Sequence, residues 1–167
     1  MSRILKRITH RDYNHASISL NEDLKIMYSF GRKNPYNPFF GGFVKESADF
    51  GTFKRFSNTR VIVLKVFISN DRFEKMQSLI DYMVCNSKRY GYNYLGLWLA
   101  AFNIAFKVQN RYYCSEFVRD MLVKYGVDGA DKLSEIVHPM SFMEIPNIQT
   151  IFCGKLKDYS SVKKVTA

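Results

Sequence analysis

No Cys-x-x-Cys pair occurs in this chain, and its three cysteines, Cys85, Cys114 and Cys153, are an odd number. That pattern speaks against a zinc site and against the paired framework of a small secreted domain. The N-terminus carries Arg3, Lys6 and Arg7 but no sustained apolar core, so it does not read as a secretory signal. Reduced thiols in a cytoplasmic setting are the default expectation. No apolar run reaches the about 20 residues that a membrane-spanning helix needs. Acidic side chains are the minority, 15 Asp and Glu against 25 Lys and Arg, for a net charge of +10. This balance favours anionic partners such as a membrane or cell-wall surface. The cations are scattered and no recognised nucleic-acid motif accompanies them, so no dedicated nucleic-acid site is expected. Tryptophan occurs once, whereas Phe occurs 14 times and Tyr 11 times, enough rings to fill a core or line an apolar groove. A length of 167 residues and no internal repeat lead us to expect one domain over 1–159 and a basic, frayed tail over 160–167.

What the chain does have is a cysteine at a helix start. In Arg111-Tyr112-Tyr113-Cys114-Ser115-Glu116-Phe117-Val118, apolar residues begin to recur at helical spacing and continue through Met121, Leu122 and Tyr125. Glu116, Arg119, Asp120 and Lys124 fall on the other side, and Gly126 is a natural stop. Cysteine is most often a small buried residue. At a first helical turn, however, unpaired N–H groups and the positive dipole end favour an anion, and the thiolate is the nucleophilic form. Such a nucleophile needs a base. His15 opens the alternating run His15-Ala16-Ser17-Ile18-Ser19-Leu20, which predicts a strand. Asn21-Glu22-Asp23 supplies a turn, and 24–30 is expected to return as the second strand of a hairpin. His10 lies in a polar stretch, and His138, before Pro139, is expected to be extended and structural.

Together, YNHASISL and the downstream RYYCSEFV resemble the circularly permuted branch of the NlpC/P60 papain-like cysteine hydrolases, which includes YiiX-like and lecithin retinol acyltransferase-like proteins. MYSFGRKNPYNPFFGGFVKE and VHPMSFMEIPNIQTIFCGKL are also similar to a bacterial subgroup, so the resemblance spans most of the chain. It implies that Cys114 attacks an amide or ester carbonyl to form a thioester and that His15 is its base. It also implies backbone N–H groups at the helix start as oxyanion donors, with Tyr112 or Tyr113 as possible support. Relatives place a third polar residue on the strand after the histidine strand. Counting across the expected hairpin puts Met27 there, which cannot orient an imidazole, so Ser29 is the nearest substitute and Glu46 a remoter one. Relatives also often carry a further strand before residue 2.

Elsewhere, 2–8 reads as a short helix or strand remnant, and the Gly-, Pro- and Asn-rich 31–51 as a long loop suited to a lid. The near-continuously apolar 60–68 predicts a central strand. Ser69, Asp71 and Glu74 suggest a capped helix burying Phe73, Met76, Leu79, Ile80, Met83 and Val84, with Cys85 at its inner edge. The 95–106 run reads as a buried helix rather than an interfacial one. A final strand over 150–156 would pack Cys153. The expected fold is α+β: a small antiparallel sheet or partial barrel against the cysteine helix. The expected activity is a thiol hydrolase acting on a cell-wall peptide or lipid acyl group, without cofactor or metal. An acyltransferase of the same fold and a catalytically weak module binding an anionic partner are the alternatives.

Overall fold

The computed structural model describes residues 13–159 apart from 35 and 57, together with the side chains of all of these but residue 38. The segment 2–8, His10 and the tail 160–167 lie outside the described residues. The fold is α+β. Strands β1 (Met27–Asn34) and β2 (Asn37–Glu46) form an antiparallel hairpin. It is extended by two short strands, β4 (Gly91–Tyr92) and β5 (Arg111–Tyr112), in the order β1-β2-β4-β5. A separate antiparallel pair joins β3 (Arg60–Lys65) to β6 (Gln149–Lys155). The helices are α1 (Gly51–Arg55), α2 (Asn70–Cys85), α3 (Tyr94–Ala100) and α4 (Cys114–Lys124).

The core lies between the hairpin, α2 and α4. Phe30 of β1, Phe43 of β2 and Phe117 of α4 form its aromatic centre, with ring centroids 5.3–5.9 Å apart. Ile80 and Met83 of α2 and Met121 and Leu122 of α4 complete it. The apolar positions of both helices recur at three- and four-residue intervals, which is why each presents one stripe to the sheet.

Several elements differ from expectation. The segment from His15 is not a strand: among the described residues its backbone pairs with that of β1 through one bridge, Ile18 with Tyr28, whose N···O distances are 2.9 and 2.7 Å. Ser19 Oγ donates to the carbonyls of Asn21 and Ile26, and Leu24 takes a positive φ of 52°. These side-chain bonds to the backbone compete with a ladder, so the first regular strand begins at Met27. The expected loop 31–51 is mostly strand. Asn34 and Asn37 accept the backbone N–H of Tyr36 and Phe39, which turns the chain tightly. The glycines mark close approach instead of a loop. A Cβ on Gly41 would lie 2.6 Å from the Tyr94 hydroxyl oxygen, and one on Gly42 2.5 Å from the Tyr90 carbonyl oxygen.

The strand over 60–68 is shorter than expected and not central, since it pairs only with β6 and is half-buried. In the two-stranded sheet, alternation turns Phe152 inward and Cys153 outward, so Cys153 is exposed instead of packed. Cys85 is also exposed, at the last turn of α2 where the buried stripe has ended. Ser69 is the N-cap of α2, but the expected box does not form, and Asp71 pairs with Lys75 at 2.8 Å. The largest correction concerns 95–106. Only α3 is helical there, it buries Gly96 alone, and Leu95, Trp98, Phe102, Ile104 and Phe106 are exposed. His138 is extended before Pro139, as its position requires. Among the described residues, no helix is long and apolar enough to cross a membrane.

Candidate active site

The start of α4 is fixed from several sides. Its N-cap, Tyr113, is extended, and the Tyr113 N–H donates to the buried Glu116 carboxylate at 3.2 Å. Asn93 holds the same carboxylate at 3.4 Å and donates through the same amide nitrogen to the Phe106 carbonyl at 2.8 Å. Ser115 Oγ donates to the Val137 carbonyl at 2.8 Å. Phe117, Val118, Met121 and Leu122 bury the rest of the helix against the core. Cys114 is thus the first residue of a rigid helix, with only 6% of its surface exposed.

His15 reaches this thiol from the other end of the chain. Ser29 Oγ donates to the Ala16 carbonyl at 2.5 Å, and the Ile18–Tyr28 bridge holds the next residues. The imidazole Nε2 contacts both oxygens of Glu46, at 3.0 and 2.9 Å. Ser17 Oγ donates to the second of these oxygens at 2.6 Å. The Cys114 thiol lies at the same place, 3.9 Å from the carbonyl oxygen of Asn14, the residue before His15, and interacts with the His15 ring. Gly31 lies below the pair, where a Cβ would stand 3.3 Å from Glu46 Oε1 and 3.6 Å from His15 Cε1. The Phe53 ring closes the edge of the imidazole at 6.1 Å.

The electrostatics of the two groups oppose their burial. Desolvation lowers the His15 pKa, but the negative charge of Glu46 and the hydrogen bonds to Cys114 and Glu46 prevail, and it stands well above the usual value of 6.5. Desolvation raises the Cys114 pKa, yet the hydrogen bond and charge of His15, with the N–H groups of Ala16 and Ser115, bring it below the ordinary thiol value of 9.0. Both shifts favour a thiolate–imidazolium pair.

Of the site residues expected from sequence, Cys114 and His15 therefore meet, and Glu46 joins them. Ser29 does not touch the imidazole; it holds the backbone one residue on. The count that led to Met27 stopped one strand too early, since Met27 lies opposite Glu46 in the β1–β2 ladder. Tyr112 does not approach Cys114, because its ring is packed 5.0 Å from Phe30 in the core. Tyr113 is buried, and desolvation with the charges of Glu116 and Cys114 keeps its hydroxyl protonated. Tyr92 was not anticipated. Desolvation, followed by the charges of Cys114, Tyr94 and Tyr113, raises its pKa well above the ordinary value, so its phenol stays protonated. The only sequence signal for Tyr92 was its place in a tyrosine-rich turn; the parallel pairing of Tyr92 with Tyr112 brings it to the site. Among the described residues, no group of three or more His, Cys, Asp or Glu side chains is placed to hold a metal.

Comparisons with known proteins return no match. No family model fits the chain, and no curated protein or solved structure matches it at a significant level.

Proposed function

We propose that this protein is a thiol hydrolase of the papain-like kind, in the permuted NlpC/P60 arrangement, acting on an amide or ester bond through Cys114, His15 and Glu46. The observation that carries the reading is the imidazole held at Nε2 by Glu46, at 2.9–3.0 Å, in a segment whose Asn14 carbonyl oxygen lies 3.9 Å from the thiol at the helix start. The Cys114 thiolate adds to the substrate carbonyl carbon, and the carbonyl oxygen takes the negative charge. The Ser115 N–H at the helix start stabilises that oxygen. His15 then gives its proton to the departing nitrogen or oxygen as the carbon–heteroatom bond breaks, leaving a thioester on Cys114. Next, His15 removes a proton from water, the hydroxide oxygen adds to the thioester carbonyl, and the acid leaves as the thiolate re-forms beside imidazolium. An amine or alcohol in place of water makes the second half an acyl transfer.

The binding-module alternative drew on the apparent lack of a third residue, and Glu46 removes that support. Substrates in keeping with the resemblance and the basic charge are cell-wall peptides and lipid acyl groups, on an anionic membrane or cell-wall surface. The test is mapped labelling with a limiting amount of iodoacetamide at about pH 6, where an ordinary thiol is almost wholly protonated. Cys114 is expected to be alkylated ahead of the exposed Cys85 and Cys153, despite its 6% exposure. Labelling that follows exposure instead would remove the nucleophile assignment. Screening muropeptides against phospholipids then separates the two substrate classes.

A further inference from the structure

Asn93 closes the apolar excursion 94–106 at its neck. Its side-chain amide donates to the Phe106 carbonyl at 2.8 Å and accepts the Gly96 N–H at 2.9 Å. The same amide reaches Glu116, the carboxylate that fixes the start of α4, at 3.4 Å. Between these ends Leu95, Trp98, Phe102 and Ile104 are exposed. Trp98 and Phe102, 61% and 62% exposed, meet each other with ring centroids 5.0 Å apart and leave the core to other residues. Exposed apolar groups gathered this closely mark an interaction surface, unlike single ones scattered over a protein.

Beside the excursion the fold gathers cations. No Asp or Glu occurs between Asp81 and Glu116, whereas Lys88, Arg89, Lys107 and Arg111 do. The Lys33 ammonium donates to the Ser87 carbonyl at 3.3 Å, which puts it next to Lys88. A Cβ on Gly91 would stand 3.0 Å from an Arg111 guanidinium nitrogen, so that group lies over β4, two residues after Arg89. Among the described residues Lys33, Lys88, Arg89 and Arg111 have no carboxylate partner, while Lys107 pairs with Asp120 at 3.2 Å. Phe40 links this patch to the excursion. The Lys33 ammonium lies 5.8 Å from the centroid of its exposed ring, and the next residue, Gly41, lies against Tyr94 at the start of α3.

We infer that this face docks on the headgroup region of an anionic phospholipid bilayer, with the rings of the excursion inserted shallowly and the cations on lipid phosphates. The excursion is shorter than the about 20 residues that a span takes. Aromatic rings beside Lys and Arg suit the bilayer interface, because the rings leave water while the charges stay at the anionic surface. A second copy fits less well, since a symmetric pair of these faces sets the cations of one against those of the other. The neck shared with Glu116 keeps the docked face beside the helix start that carries Cys114. The inference adds a surface to the hydrolase reading, rests on that reading only for what the docked protein acts on, and is tested without turnover.

Trp98 is the one tryptophan of the chain, so its emission reports on this face alone. The full chain is titrated at low salt with vesicles of phosphatidylcholine, with and without phosphatidylserine. With phosphatidylserine the emission should shift to the blue, be quenched by lipids brominated on the acyl chain, and revert as salt rises. Phe102→Ala should lower vesicle partitioning about tenfold. Arg89→Gln and Arg111→Gln should each lower it about fivefold on the anionic vesicles, with circular dichroism unchanged. Absence of binding overturns the inference, and so does binding without a shift at Trp98, which places the lipid on another surface. A lipid-free dimer in sedimentation velocity that Phe102→Asp turns into monomer gives the face to a second copy and overturns it too. A Cys114 that mapped alkylation finds unreactive ends the hydrolase reading and leaves every one of these outcomes as it stands.

Discussion

Two helices of this protein are rich in apolar residues and behave oppositely. α4 buries seven of its eleven residues, whereas α3 buries only Gly96 and leaves Trp98 61% exposed. Both are held at the N-terminus by buried polar groups, Glu116 on the Tyr113 N–H and Asn93 on the Gly96 N–H. The difference lies in pattern. α4 sets an apolar stripe against Arg119, Asp120 and Lys124, with Glu116 drawn inward by the Tyr113 N–H, so one rotation about its axis is favoured by all of them. α3 is apolar all round and offers no polar face to set its orientation. It ends at Ala100, and three residues on Asn103 turns the chain with φ 60°. Hydrophobic content alone therefore did not locate the core here, and periodicity did. The rigid element carries the thiol.

The sharpest way to break this comparison is to disturb what α4 presents. His15→Ala should lower turnover of any accepted substrate about 10²–10⁴-fold, because it removes the acid–base group, while circular dichroism stays unchanged. Normal turnover by that variant would end the assignment of the site to the helix start. Stability offers the direct contrast. Phe117→Ala, at a position 2% exposed, is expected to cost about 3–5 kcal/mol in urea unfolding. Trp98→Ala should stay within about 0.5 kcal/mol, as surface substitutions do. If the two costs are similar, α3 is covered in solution and the contrast fails.

Smaller effects sharpen the geometry around the thiol. The Glu46 charge raises the His15 pKa, so Glu46→Gln should lower it and weaken the imidazolium that stabilises the thiolate. The rise of Cys114 alkylation with pH should then begin at higher pH than in the wild type. An unmoved profile would mean that Glu46 does not govern the imidazole. Linkage gives the same signs for stability. The raised His15 pKa contributes stability below its unfolded value that is lost as pH rises through the folded one. The lowered Cys114 pKa contributes above its unfolded value, and that part is lost as pH falls through the folded one. Ser29→Ala is the mildest. It leaves the Ala16 carbonyl without its donor, at about 0.5–1.5 kcal/mol, and should slow turnover about threefold to tenfold by loosening the His15 segment. A silent substitution would show that the Ile18–Tyr28 bridge alone suffices.

Much of the site was legible because its signals are local. The stop at Gly126, the stripe from Phe117 to Leu122 and the cysteine at the first turn all lie within one helix. The identity of the orienting group was not, because it depends on which strand follows His15. Asn21 to Asp23 was read as the turn of a hairpin whose first strand ran from His15 to Leu20, but the Ser19 and Asp23 side chains bond the backbone there themselves. The ladder consequently starts later, and its partner is the Gly-rich stretch that resembled a loop. Those glycines admit Tyr92, Tyr94 and the Tyr90 carbonyl, neighbours remote in sequence that no local pattern announces. Cys85 and Cys153 were misplaced for a related reason. The first lies just past the end of a buried stripe, and the second on the outward phase of a strand whose partner decides which phase is inward.

The thiol of Cys114 lies 3.9 Å from the carbonyl oxygen of Asn14, a contact across 100 residues of chain. Closing a loop of that size is an entropic cost of folding that local helix formation does not meet. Until it closes, Cys114 is an ordinary thiol at the start of a helix, without imidazole or converging N–H groups. On the proposed reading, nucleophilicity depends on a contact spanning 100 residues and should arise late in folding. A nascent or partly unfolded copy would carry a chemically quiet cysteine. Pulsed alkylation at low pH during refolding would then time the moment at which the two ends of the fold meet.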